Sequence, residues 1–220
     1  MKTKKNLLGV ADYGMDVWFG GNFCLEERLD HLREIGIDGL EWLKGNDSHE
    51  AFENAVTFHR MGMDFASCSI NNNFELTVKC AAAFGKEYVW IPCVGRDVSM
   101  ENYLRSSNYA VECAARYGIK TALHNHLGAR IENRTELQEF MEKVPGAYLL
   151  LDIAHAHAAD CDNVEIVKTY HDRLAAIHFK DIYYKDRSIG LDRSALLRTR
   201  RRQRGSAFGS DRPRVTEFPL

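Results

Sequence analysis

Three short segments of this sequence end in side chains that bind metals or move protons. Tyr148-Leu149-Leu150-Leu151-Asp152-Ile153-Ala154-His155 passes from an apolar stretch into an acid and an imidazole. Ala175-Ala176-Ile177-His178-Phe179-Lys180-Asp181 passes from a similar stretch into a histidine, a lysine and an acid. Leu123-His124-Asn125-His126-Leu127-Gly128, followed by Glu132, adds a His-Asn-His triplet. Neutral imidazoles and ionised carboxylates both offer lone pairs to divalent first-row metals. A strand buried on both faces reads as a continuous apolar run, and parallel sheets are built from such strands. Acids and imidazoles at the C-terminal ends of those strands stand where a parallel barrel places its chemistry. Two runs in succession, joined by a helix-length segment, make a divalent-metal site the leading reading.

Within these segments Asp152 is the first candidate ligand, because its carboxylate would emerge where its apolar run ends. The bland alternative is a turn acid or helix N-cap. His155, three residues on, is placed to hydrogen-bond a substrate or orient a ligand, whereas His157 fits packing in the following turn. Alternation along a strand puts His178 and Lys180 on one side. One of that pair can bind metal while the other holds an anionic or carbonyl oxygen. A strand-end histidine satisfied by backbone is the competing reading for His178. The same alternation puts His124 and His126 on one face, with Gly128 permitting close backbone approach. Glu132 is close enough in sequence to fold back over the site, or else is a solvated loop acid. Glu41, expected at the end of the second strand beside Trp42, is the remaining acid of interest, with helix-facing packing as its alternative. Dinucleotide, P-loop, nucleophile-elbow and H-E-x-x-H motifs are absent.

The elements that would carry these residues alternate, short apolar runs with helix-period segments, as βα units of a parallel sheet do. Strands are predicted at 7–11, 39–43, 64–70, 88–92, 120–124, 148–153 and 175–179. Helices are predicted at 24–35, 48–61, 74–84, 100–117, 134–143 and 163–172. Gly36, Gly85 and Gly118 stand where a left-handed residue closes a helix. Asp47 or Ser48 opens the second helix, and Thr135 stands where the fifth begins. The fold class is α/β, a TIM-type barrel of eight βα units that is incomplete: seven strands are recognisable, and Val215–Leu220, containing Pro219, is the nearest candidate for an eighth. A missing strand leaves two open edges.

The chain of 220 residues is 45% hydrophobic and 27% charged, an ordinary globular composition. Its six cysteines are scattered without a C-x-x-C pair, which argues against a zinc ribbon or disulfide scaffold and fits a reducing compartment. No stretch approaches the ~18 apolar residues of a membrane span, and the basic start lacks a signal-peptide core. A cytoplasmic protein with no membrane partner is expected. Residues 187–220 hold nine arginines, no lysine and three acids, a net +6 that leaves −8 on residues 1–186 against the whole-chain −2. Residues 1–186 are therefore read as the barrel domain. Residues 187–220 are read as an Arg-rich irregular or disordered tail, with a composition suggesting an end not native to the domain. An acidic body argues against an electrostatic nucleic-acid surface. The expected partner is a small molecule, and open edges allow a homo-oligomer.

With these residues in view, the chain resembles the xylose isomerase-like TIM-barrel family of sugar phosphate isomerases and epimerases, especially its inosose dehydratase-related members. The likeness rests on His124-Asn125-His126-Leu127-Gly128 with Glu132, on Leu151-Asp152-Ile153-Ala154-His155, and on Tyr170-His171-Asp172-Arg173 leading into His178-Phe179-Lys180-Asp181. It implies a divalent ion (manganese, cobalt, magnesium or zinc) held by an acid on strand five, an aspartate on strand six, a histidine on strand seven and a glutamate on strand eight. Asp152 and His178 match the middle two. At strand five the match is Glu132 as the acid or an imidazole, His126, as the ligand; strand eight has no match. The resemblance implies carbohydrate chemistry through an enediolate, with a carboxylate (Glu132) taking the α-proton, and His155 or Lys180 managing the oxygen proton. His124, Asn125 and Glu41 would contact substrate. Re-protonation gives isomerisation or epimerisation, and loss of a β-hydroxyl gives dehydration. A catalytically impaired, truncated barrel and a metal-dependent abasic-site endonuclease are the competing readings; the second would need a basic groove.

Overall fold

A computed structural model describes residues 7–11 and 24–182. The expected boundary at 186/187, the Arg-rich tail and the eighth-strand candidate Val215–Leu220 lie outside the described residues. Seven strands appear among the described residues: β1 (Gly9–Val10), β2 (Gly39–Gly45), β3 (Asp64–Ile70), β4 (Tyr88–Trp90), β5 (Lys120–His124), β6 (Ala147–Asp152) and β7 (Leu174–His178). They alternate with α1 (Leu25–Glu34), α2 (Ser48–Arg60), α3 (Phe74–Ala83), α4 (Met100–Ala115) and α5 (Arg134–Lys143). Two helices, α6 (Ile153–Ala158) and α7 (Asn163–Tyr170), separate β6 from β7. Every ladder is parallel, in the orders β1-β2-β3 and β4-β5-β6-β7. Between the two groups the Ser67 hydroxyl of β3 donates to the Tyr88 carbonyl of β4 at 2.9 Å. Among the described residues this is an α/β architecture with seven parallel barrel strands.

Side-chain alternation divides the core into layers. On β6, Leu149 and Leu151 pack with Phe140, Leu137 and Ile166 of the surrounding helices. Leu150 instead packs with Tyr88, Ala122 and Ala176 inside the sheet. Each of the three leucines is 0% exposed, a burial contributing roughly 1.5–3 kcal/mol apiece. The period of two that sends Leu150 inward sends Asp152 inward as well. The same parity carries His124 above Ala122 and His178 above Ala176. The register pairs Asp152 with His178 and His124 with Leu150. A second apolar layer, with Leu29, Leu40, Leu43, Phe58 and Val78, seats α1–α3 on β2 and β3.

Loop chemistry fixes these elements. Gly36 closes α1 at φ +82°, and a Cβ on Gly39 would stand 1.8 Å from the Asp64 carbonyl oxygen, so only glycine allows β2 and β3 to approach. Arg173, the last residue of the Tyr170–Arg173 motif, donates to the carbonyls of Met141, Val144 and Ala147 at 2.9, 2.9 and 2.8 Å. It thereby satisfies the Met141 and Val144 carbonyls at the C-terminus of α5 and ties them to Ala147, which opens β6.

Several sequence expectations shift. The first strand contracts to two residues, with Leu7 and Leu8 61% and 59% exposed. The second extends to Gly45, so Glu41 is mid-strand rather than terminal. The sixth ends at Asp152 instead of 153, because Asp152 caps α6, a helix the sequence pattern did not predict. The fifth helix is opened by Asn133, not Thr135, through a capping box with Glu136. The last predicted helix stops at Tyr170 and passes into a 3-10 turn.

Candidate metal centre

Asp152 is the hub. Its side chain is fully buried, and its two oxygens do different work. Oδ1 accepts from the backbone N–H groups of Ala154 and His155 at 3.1 and 3.0 Å, which fixes the rotamer. Asn125, on the adjoining β5 end, accepts from the Asp152 N–H at 2.8 Å and donates to its carbonyl at 3.1 Å. The helix-cap reading of the residue is thus observed, and it occupies Oδ1 alone.

Oδ2 faces the site. His124 Nε2 and His178 Nδ1 each lie 3.4 Å from it, His155 Nε2 lies 3.7 Å away, and Lys180 Nζ 2.5 Å. His178 and Lys180 thus share the face that alternation predicted. On its far side His178 Nε2 is 2.6 Å from Glu41 Oε1. His126 lies against His155 with ring centroids 3.9 Å apart and planes tilted by 43°, while its Nδ1 sits 2.7 Å from the Leu127 carbonyl. Glu132 is buried and accepts from Arg96 Nη1 at 3.0 Å. That guanidinium also grips the Ala129 carbonyl and Glu136, tying the β4–α4 loop to the β5–α5 loop.

Electrostatics sort the imidazoles. Burial alone would raise the Asp152 carboxyl, but hydrogen bonds from His124, His178 and Lys180 outweigh it and hold the group far below the ordinary carboxylate range. Burial pushes His155 down to about 3, helped by the neighbouring His126. Burial also lowers His124, partly opposed by Asp152. His178 moves the other way: burial opposes its charge, yet bonding to Asp152 and Glu41 raises it to about 9. At neutral pH Asp152 is therefore a carboxylate and His178 an imidazolium, while His124 and His155 are neutral imidazoles with lone pairs.

That donor set suits a divalent cation. Ligand atoms of His124, Asp152 and His155 lie within 4.8 Å of one another, two nitrogens and one oxygen of a kind first-row metals accept. Asp152 and His178, the pair expected from sequence, do meet. His178, however, is engaged at both nitrogens, and His126 is turned to its neighbour's carbonyl.

Sequence reasoning passed over two participants. Trp90, at the end of β4, packs its ring 4.5 Å from His124 and 5.5 Å from His178, with Trp42 beyond it at 4.7 Å. The strand-end rule that singled out Asp152 would have found it. Arg96 has no local signal, since its partners are more than thirty residues away.

Comparison with known proteins places these features in a family. The family model for the xylose isomerase-like TIM barrel matches residues 66–211. An inosose dehydratase of Histophilus somni is 27% identical over 186 residues, covering 83% of this chain and 54% of its own. An inosose dehydratase of Bacillus licheniformis is 32% identical over 91 residues, covering 40% of this chain and 30% of its own. The chain thus spans about half, or less, of the length of these relatives. Among solved structures, a probable 3-DHS dehydratase of Bacillus anthracis superposes with a TM-score of 0.65 at 15% identity, covering 86% of this chain and 78% of that one. A xylose isomerase-like TIM barrel protein of Mycobacterium smegmatis in complex with magnesium gives a TM-score of 0.59 at 13% identity, covering 75% and 69%.

Proposed function

The chain belongs to the xylose isomerase-like TIM barrel family, and on that premise we propose a divalent-metal-dependent enzyme that removes a proton next to the ketone of a sugar or keto-polyol. The observation that carries this reading is the convergence of His124 and Asp152, at the C-terminal ends of β5 and β6, with His155 in the first turn of α6. These three would hold the ion, an assignment that departs from the sequence expectation of Asp152 with His178 and His126. His178, kept charged between two carboxylates, positions Asp152 instead. A bound divalent ion polarises a ketone and its neighbouring hydroxyl, acidifying the C–H between them. Glu132, steadied by Arg96, is the carboxylate assigned to take that proton. Lys180 presents its ammonium to the substrate oxygen that gains charge. Asn125 keeps Asp152 in register, and the Trp90 ring closes one wall against water.

Re-protonation on the neighbouring carbon makes the enzyme an isomerase or epimerase. Elimination of a β-hydroxyl makes it a dehydratase, a second reading favoured by the names of the curated relatives. Both begin with the same C–H cleavage. The test is incubation with 2-keto-myo-inositol and Mn²⁺ in deuterated water, followed by NMR and ultraviolet spectra. Deuterium entering beside the ketone supports the reading, and a conjugated dehydration product selects the lyase. Glu132→Gln should slow either process by about 100-fold or more. No exchange and no product from this or related keto-polyols would contradict it.

A further inference from the structure

Four basic side chains surround Asp152 Oδ2, and Lys180 is nearest: 2.5 Å, against 3.4 Å for His124 and His178 and 3.7 Å for His155. It also differs from the others in footing. Its side chain is 44% exposed while the Asp152 carboxylate is 0% exposed. It follows β7 on a segment without helix or strand, next to Phe179, itself 80% exposed. The ammonium is therefore lowered into a buried site from a stem on the solvent side. The remaining walls are fixed: Oδ1 caps α6, Asn125 clamps the Asp152 backbone, and His178 is held by Glu41.

A fully buried carboxylate without a cation is strongly destabilising, and here the His178 imidazolium and, closer, the Lys180 ammonium supply the charge. A metal ion needs the same oxygen lone pair at about 2.0–2.2 Å. An ammonium at hydrogen-bond distance from that oxygen would then face a divalent charge at close range in a poorly screened site. Of the two cations on that oxygen, His178 is tied to Glu41 on its far side, whereas Lys180, with its half-exposed side chain, has a path to solvent. Resting on the metal reading proposed above, we infer that Lys180 is a built-in counter-ion, seated beside Asp152 while no metal is bound and displaced toward solvent when a divalent ion loads. Loading then does two things in one event: it fills the site and releases an ammonium at its rim, where a substrate oxygen can meet it. The lysine also sets a threshold, since an ion must outcompete a tethered cation before it binds.

The experiment uses the full-length chain, stripped of metal, with Mn²⁺ alone as the probe. Calorimetric titration compares wild type with Lys180→Met and Lys180→Arg, and acetylation of Lys180 is followed by peptide mass spectrometry, with Lys79 as an exposed internal reference. Lys180→Met should bind Mn²⁺ at least about tenfold more tightly, because the competing charge is gone. Lys180→Arg, which keeps the charge, should stay close to wild type. Saturating Mn²⁺ should raise the acetylation rate of Lys180 severalfold and leave Lys79 unchanged. Should Lys180→Met fail to fold, wild-type labelling decides alone. Equal or weaker binding by Lys180→Met, or labelling indifferent to Mn²⁺, overturns the inference while leaving the metal site standing. Absence of Mn²⁺ binding by all three proteins overturns the site itself, and the inference with it.

Discussion

Glu136 gives the sharpest quantitative prediction, because it anchors the loop that carries His126 and Glu132. Its Oε1 accepts from Arg96 Nη2 at 2.6 Å and from Arg130 Nη2 at 2.7 Å, and its Oε2 accepts from the Glu132 N–H at 2.9 Å. Burial opposes ionisation, but the Arg96 hydrogen bond and then those of Glu132 and Arg130 pull the carboxyl from its ordinary 4.5 to about 2. A group depressed in the folded state stabilises above its unfolded value, and that stabilisation is lost as pH falls from 4.5 toward 2. The depression corresponds to about 3 kcal/mol at pH 7, falling to about 1.5 kcal/mol at pH 3. Glu136→Gln should therefore cost roughly that much at pH 7 and about half as much at pH 3, read from urea unfolding midpoints and slopes. A penalty that is the same at both pH values would refute the electrostatic account of this loop.

Asn125→Ala orphans the buried N–H and carbonyl of Asp152, so it should lose about 2–4 kcal/mol in denaturant unfolding and weaken Mn²⁺ binding; unchanged stability would contradict the clamp. Iodoacetamide at pH 8 should label the exposed Cys24 and Cys93 in the native protein and spare the buried Cys68, Cys80, Cys113 and Cys161. Burial, reinforced by Cys80, pushes the Cys68 thiol up to about 12, so early modification of Cys68 by mass spectrometry would contradict the packing of β3.

Much of the scaffold was legible because its signals are local. β3 and β5 have the bounds their apolar runs predict, and Gly36, Gly85 and Gly118 take the left-handed conformation expected after helices. Helix α6 was not legible: Ile153-Ala154-His155-Ala156-His157-Ala158 carries no apolar stripe, and its start is fixed by the Asp152 cap. The inward aim of Asp152, His124 and His178 follows from strand parity. Their pairing does not, since the Glu41–His178 contact joins residues 137 apart in sequence. That contact adds to the Asp152 hydrogen bond in raising His178, while burial lowers His124 and His155. The expectation that His178 ligates came from its strand-end position and the family pattern, whereas its protonation, set by Asp152 and Glu41 together, is a tertiary effect.

Metal content after equilibrium dialysis against Mn²⁺ or Zn²⁺, measured on wild type and on Asp152→Asn, bears on the central claim most directly. Wild type should retain a stoichiometric divalent ion. Asp152→Asn, which keeps the side-chain shape but removes the charge, should retain essentially none while remaining folded by circular dichroism. Equal metal in the two proteins, or none in wild type, would contradict the assignment of a cation to the ends of β5 and β6.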